Sequence, residues 1–191
     1  MKKFFLFCGS LLVLLCSCKQ KKQKQEDFLP AIPFIQNDIR KVDTSFYSIQ
    51  KITWQDNLSP DTVFVKREEF RGLAIDFLQL PDITEKKYKN RFTGEKFFDQ
   101  SLNAVIFTYK PIEPDKEEIQ KQEILVTPGL NGDQVKTIIV DWVIDHTDST
   151  VIKRMLWQID KSFQVTTTIQ KLDFPDQNHT LKVVWNEPTN H

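Results

Sequence analysis

Residues 135–170 read VKTIIVDWVIDHTDSTVIKRMLWQIDKSFQVTTTIQ, and this stretch decides the fold. Its apolar side chains recur at every second position, the period of an extended chain with one buried face. Thr147-Asp148 and Asp160-Lys161 interrupt it with turn residues, so it divides into three strands: Val135–Asp145, Thr150–Gln158 and Phe163–Gln170. Separations this short suit antiparallel hairpins, because a parallel crossover needs a dozen residues or more.

The register of the first hairpin follows from its tip. With Thr147 and Asp148 at the turn, Asp141 faces Arg154, Val143 faces Ile152 and Ile139 faces Leu156. On the other side Ile138, Val140, Trp142 and Ile144 meet Trp157, Met155, Lys153 and Val151, and this more apolar set is assigned to the core. Asp141–Arg154 is then a solvent-side pair worth under about 1 kcal/mol. A loop of Asp160, Lys161 and Ser162 in the second hairpin sets Val165 opposite Trp157 and Thr167 opposite Met155.

Outward from this core, further strands are expected at Leu102–Lys110, Gln120–Thr127 and Leu181–Trp185, separated by Pro114-Asp115, Asn131-Gly132-Asp133 and Asp176-Gln177-Asn178. Before residue 101 the period is longer. Ile32, Ile35, Ile39, Val42 and Phe46 form one helical stripe, and Phe70, Leu73, Ala74, Phe77 and Leu78 form a second, with Glu68 and Glu69 in its first turn and Pro81 ending it. Ser45 to Trp54 is ambiguous, since Tyr47, Ile49 and Thr53 also suit a strand. Asn57 to Asp61 reads as a turn. The expectation is an α+β fold: two N-terminal helices packed on a mostly antiparallel meander of about five to six strands.

Composition bounds the rest. The 191 residues carry 26 basic and 26 acidic side chains, 15 Phe and 4 Trp. That length suits one globular domain, the aromatic content excludes a disordered chain, and the zero formal charge argues against a nucleic-acid partner.

The N-terminus reads MKKFFLFCGSLLVLLCSCKQ. Lys2 and Lys3 precede an apolar core of about 12 residues, against the roughly 20 that a helix needs to cross a bilayer. This is the layout of an export signal. Leu15-Cys16-Ser17-Cys18 resembles the lipobox of bacterial lipoproteins, in which an aliphatic residue stands three positions before the modified cysteine with small residues between. The resemblance implies a signal peptide over 1–17, cleavage before Cys18, and diacylglycerol on its sulfur with further acylation of the new amine. Two or three acyl chains meet the requirement for stable anchoring. Cys8 and Cys16 leave with the signal, so the processed chain keeps no free thiol for a disulfide, a metal or nucleophilic catalysis.

Residues 18–29 then form the lipidated cysteine and a basic, disordered tether holding Lys19, Lys21, Lys22 and Lys24, with a reach of about 35–40 Å. The lysines suit anionic headgroups at about 1 kcal/mol each. By the same resemblance, Lys19 after the cysteine implies the outer membrane, and the lack of an acidic cluster before Glu26 implies a body facing the periplasm. Residues 30–191 read as a single α+β domain. As a general type the chain resembles the small envelope lipoproteins of the Bacteroidota.

No catalytic constellation stands out. His146 lies near Asp141, Asp145 and Asp148, but histidine and aspartate at a hairpin tip are ordinary turn chemistry. His179 also falls in an expected turn, and His191 ends the sequence. No zinc-ligand spacing, EF-hand loop, nucleophile elbow or phosphate-binding glycine loop occurs, so no metal or cofactor is expected. Glu68-Glu69 and Glu117-Glu118 read as solvated acidic pairs. Trp142, Trp157, Phe163 and Trp185 are candidate walls of an apolar ligand site, with ordinary core packing as the competing reading. Phe97 and Phe98 cannot both point inward in an extended segment. Asp61-Thr62-Val63 and Asp148-Ser149-Thr150 resemble the pattern on which Bacteroidota O-glycosylate exported proteins, which would make Thr62 and Ser149 acceptors.

The functional expectation is a lipid-anchored, non-enzymatic envelope protein that binds or scaffolds an envelope protein or apolar ligand. A lipid or lipoprotein carrier with a cavity between sheet and helices is the alternative, and an envelope-polymer hydrolase using His146 or His179 is a third.

Overall fold

The computed structural model describes residues 28–56, 58–130 and 132–186. Cys18, almost all of the tether and His191 lie outside the described residues. The secondary structure runs α1 (Ile32–Thr44), β1 (Ile49–Gln55), β2 (Asp61–Val65), α2 (Phe70–Leu73), α3 (Ile75–Leu78), β3 (Phe92–Asp99), β4 (Ala104–Pro111), β5 (Ile119–Thr127), β6 (Gln134–Asp145), β7 (Ser149–Gln158), β8 (Ser162–Lys171) and β9 (Gln177–Val184). All nine strands join in one antiparallel sheet of order β2-β1-β9-β8-β7-β6-β5-β4-β3.

This overturns the expected two helices on a five- to six-stranded meander. The sheet dominates, and three strands account for the difference. β1 arises from the ambiguous stretch after α1 and docks on β9 at the far end of the chain. β2 has five residues and is too short to display a period. β3 carries Gly94, Glu95 and Lys96 at its centre, which breaks the alternation of an apolar face. The second helical stripe is also not one helix. It breaks at Ala74 (φ −87°, ψ 11°) into two four-residue turns, α2 and α3.

The hairpin connections match their residues. Asp56, Asn103, Asp160 and Asp173 adopt positive φ in the β1–β2, β3–β4, β7–β8 and β8–β9 connections, a conformation that Asn and Asp tolerate better than other side chains with a Cβ. The β6–β7 register is the one read from the sequence, with Asp141 opposite Arg154 and Ile138 opposite Trp157. The β7–β8 register is displaced by two residues from the expected one: Trp157 faces Phe163 and Met155 faces Val165. The turn comprises Ile159, Asp160 and Lys161, and Ser162 already belongs to β8. A shift of two preserves the buried face, since side chains alternate with period two. Asp141 does not bond the Arg154 opposite it; its carboxylate lies 3.4 Å from Lys121 Nζ.

One face of the sheet is covered. Ile138, Val140, Met155, Trp157, Phe163, Val165 and Val183 project from β6 to β9 and are buried beneath α1, α2 and α3. Each large apolar side chain removed from water contributes about 1.5–3 kcal/mol. The helix α1 buries Ile35, Asp38, Ile39 and Val42. Its expected continuation to Phe46 fails, because the helix ends at Thr44, where the Ser45 N–H donates to the Val42 carbonyl at 3.1 Å; Phe46 is 98% exposed. The described chain enters beside β4: the Phe28 and Tyr109 rings lie 4.4 Å apart, and the Leu29 N–H donates to the Tyr109 hydroxyl at 2.8 Å. From there α1 crosses to the β7–β8 turn.

Candidate functional site: an aromatic core tied to a buried carboxylate

Three of the four expected ligand-site aromatics meet. Because β7 and β8 pair Trp157 with Phe163, their rings stack with centroids 5.1 Å apart and planes inclined by 14°. Trp185, just beyond β9, lies 5.6 Å from Trp157. Phe70 and Phe77 descend from α2 and α3 and close the group edge-on: Phe77 is 4.9 Å from Trp157, and Phe70 is 5.1 Å from Trp185. Five rings therefore occupy the space between sheet and helices, as edge-to-face geometry favours. Trp157, Phe163 and Trp185 are all buried and belong to the apolar core. Trp142 is separate. Its indole N–H donates to Glu118 Oε2 at 2.9 Å, and Lys153 Nζ lies 5.5 Å from the ring centre.

The cluster has a polar attachment that the reading of the sequence does not anticipate. Asp38 lies on the buried face of α1 and is 1% exposed. Its Oδ2 accepts hydrogen bonds from Trp157 Nε1 and from the Asp160 backbone N–H, both at 2.9 Å. Its Oδ1 is buried without a hydrogen-bond partner. Lys41, one turn along α1, places Nζ 3.9 Å from Asp38 Oδ1 and 2.7 Å from Asp160 Oδ1. One carboxylate thus joins α1, the aromatic core and the β7–β8 turn. Burial pushes the Asp38 carboxyl up from 3.8 to about 6, against the lowering effect of its two donors. Burial acts upward on Asp160 and is the largest single influence, but the Lys41 hydrogen bond, the contact with Asp38 and the charges of Lys41 and Lys136 together outweigh it and hold that carboxyl below its ordinary value. A signal for this site exists in the sequence: Asp38 falls in the phase of Ile35, Ile39 and Val42, and a charged residue on an apolar helix face needs a partner.

The other residues singled out are dispersed. His146 lies in the exposed β6–β7 turn, where its backbone N–H donates to the Ser149 carbonyl at 2.8 Å, and His179 is an exposed member of β9 rather than a turn residue. Among the described residues neither imidazole hydrogen-bonds a serine or carboxylate, and no group of three or more His, Cys, Asp or Glu side chains is gathered for a metal ion. The Glu117 side chain is not solvated but 7% exposed, in an ion pair with Arg91. Glu69 bonds the Lys66 backbone N–H at 3.0 Å. Thr62 is exposed within β2, and Ser149 opens β7 with its hydroxyl 3.1 Å from Asp148 Oδ1. A polar cleft of about 410 Å³ borders the β4–β5 connection, lined by Asp115, Glu117, Glu118, Gln120 and Asp145 among others. No described helix is long and apolar enough to cross a membrane. Comparison with known proteins finds no matching family model, no similar curated protein and no similar solved structure.

Proposed function

We propose that this chain is an envelope lipoprotein, held to the outer membrane by acyl groups on Cys18, whose body faces the periplasm and has a non-enzymatic binding or scaffolding role. The observation that carries the reading is the Leu15-Cys16-Ser17-Cys18 sequence at the end of a lysine-led apolar segment. The body is compatible with it. Stability comes from the aromatic core and needs no disulfide, as a chain that loses Cys8 and Cys16 and blocks Cys18 requires. A nine-stranded sheet that ends in β2 on one side and β3 on the other offers binding surface along its edges. The carrier alternative needs an apolar cavity between sheet and helices, and the contacts among Trp157, Phe163, Trp185, Phe70 and Phe77 weigh against it.

The test is metabolic labelling with a palmitate analogue. The parent chain should take label and fractionate with outer membrane. Cys18→Ser should take none and accumulate as unprocessed precursor. Undiminished labelling of that variant would refute the site.

A further inference from the structure

The two edges of the sheet differ in a way that matters for association. An edge strand offers a row of unused backbone donors and acceptors, and proteins guard such rows with charges, proline or bulges. β3 is guarded: Glu95 and Lys96 stand exposed at its centre. β2 is not. Among the described residues it pairs only with β1 (Ile49 opposite Val65, Thr53 opposite Asp61), and Thr62-Val63-Phe64-Val65 has no charge, proline or bulge. Both of its faces expose apolar groups, Val63 at 39% and Phe64 at 69%.

The charges flanking this run are complementary under a two-fold rotation. Asp61 precedes it, and Lys66 and Arg67 follow it. Two β2 strands placed antiparallel about an axis normal to the sheet, with Phe64 opposite Phe64 of the second copy, bring Asp61 of each copy to the Lys66–Arg67 end of the other. The same register sets Val63 opposite Val65 and Thr62 opposite Lys66, and keeps inward residues facing inward residues. Lys66 is still extended (φ −74°, ψ 152°), so the strand geometry reaches that end.

We propose that β2 is a self-association edge through which two copies of this chain join antiparallel, extending the nine-stranded sheet across a two-fold axis. The interface is isologous, so it closes at a dimer rather than growing into a fibre. An extended segment of another protein is the competing occupant, but the reciprocal placement of Asp61 and Lys66–Arg67 favours a second copy. A five-residue strand pair is small, so the association is weak in dilute solution and is strengthened wherever copies are concentrated on one surface.

The test is cysteine cross-linking of the full chain under mild oxidation, with the parent run alongside to set the background from its own cysteines. Directly opposed strand residues have Cα atoms within disulfide reach. Phe64→Cys should give a disulfide-linked species of twice the mass. Phe97→Cys, on the guarded edge, should stay at the parent's background. Adding Val63→Lys to Phe64→Cys should reduce the cross-linked yield at least tenfold. Asp61→Lys, which gathers like charges, should do the same and serves as the second variant if Val63→Lys disturbs folding. A Phe64→Cys yield equal to the parent's or to that of Phe97→Cys would overturn the proposal, as would a yield unchanged by the added lysine. This readout does not depend on acylation, so its failure is distinguishable from failure of labelling at Cys18.

Discussion

Replacing Asp38 by Asn exchanges one buried oxygen for an amide nitrogen and should remove a pH dependence from the stability of the fold. The Asp38 carboxyl rises from 3.8 to about 6 on folding. A carboxyl raised in this way binds its proton more tightly in the folded state. Its contribution is fully present below the unfolded value of 3.8 and is lost as pH rises through about 6. A shift of about two units, at about 1.4 kcal/mol per unit, makes that loss roughly 3 kcal/mol. In Asp38→Asn the side-chain carbonyl still accepts the Trp157 indole and the Asp160 N–H, and it carries no charge to desolvate. Urea denaturation of parent and Asp38→Asn should therefore give nearly equal stabilities at pH 4. The variant should gain up to about 3 kcal/mol over the parent by about pH 7.5. Asp160, held below its ordinary value, titrates under this window, and Lys41, raised by the Asp160 hydrogen bond, titrates above it. Neither supplies the difference. Asp38→Ala is the control: it strips both donors of their acceptor and should cost about 2–4 kcal/mol at pH 4, a deficit that narrows by up to about 3 kcal/mol as the parent carboxyl ionises, so that its curve runs parallel to that of Asp38→Asn and below it. Parallel pH curves for parent and Asp38→Asn, or equal losses for the Asn and Ala variants, would refute the account of a buried, desolvated carboxylate.

Two further outcomes follow from the packing. Phe77→Ala removes a ring that meets Trp157 at 4.9 Å and Phe163 at 5.4 Å, and should cost about 3–5 kcal/mol in chemical denaturation with loss of near-ultraviolet circular dichroism. Arg91→Ala leaves the largely buried Glu117 carboxylate without its partner and should cost about 1 kcal/mol; a double-mutant cycle with Glu117→Gln should show that the two losses do not add, and strict additivity would dissolve the pair.

How much is legible in the sequence depends on distance along the chain. The β6–β7 hairpin is legible to the residue, because its register depends on one short turn and an unbroken alternation from Ile138 to Trp157. The next hairpin differs from its expected register by two residues, because Asp160 alone takes the left-handed conformation and lets Ser162 rejoin the ladder. β1 is ambiguous because its partner, β9, lies more than a hundred residues away, and no local pattern announces that pairing. The stripe over Phe70–Leu78 is real and buries Phe70 and Phe77, yet it does not make one helix, since two separate turns serve the same spacing. Trp157, Phe163 and Trp185 are apolar and inward, as their sequence positions indicate. Whether they wall a cavity or fill it depends on Phe70 and Phe77, which arrive from another part of the chain.

The division has one physical origin. Periodicity, turn chemistry and the N-terminal signal are properties of neighbours in sequence, so the strands from β4 to β8, the first helix and the expectation of an acyl anchor come from residue order alone. The docking of β1 on β9, the tie from Asp38 to Trp157 and Asp160, and the contrast between the guarded β3 edge and the bare β2 edge all depend on residues far apart in the chain. Such contacts come from which faces bury together and which donors lose water, and only the folded arrangement decides that.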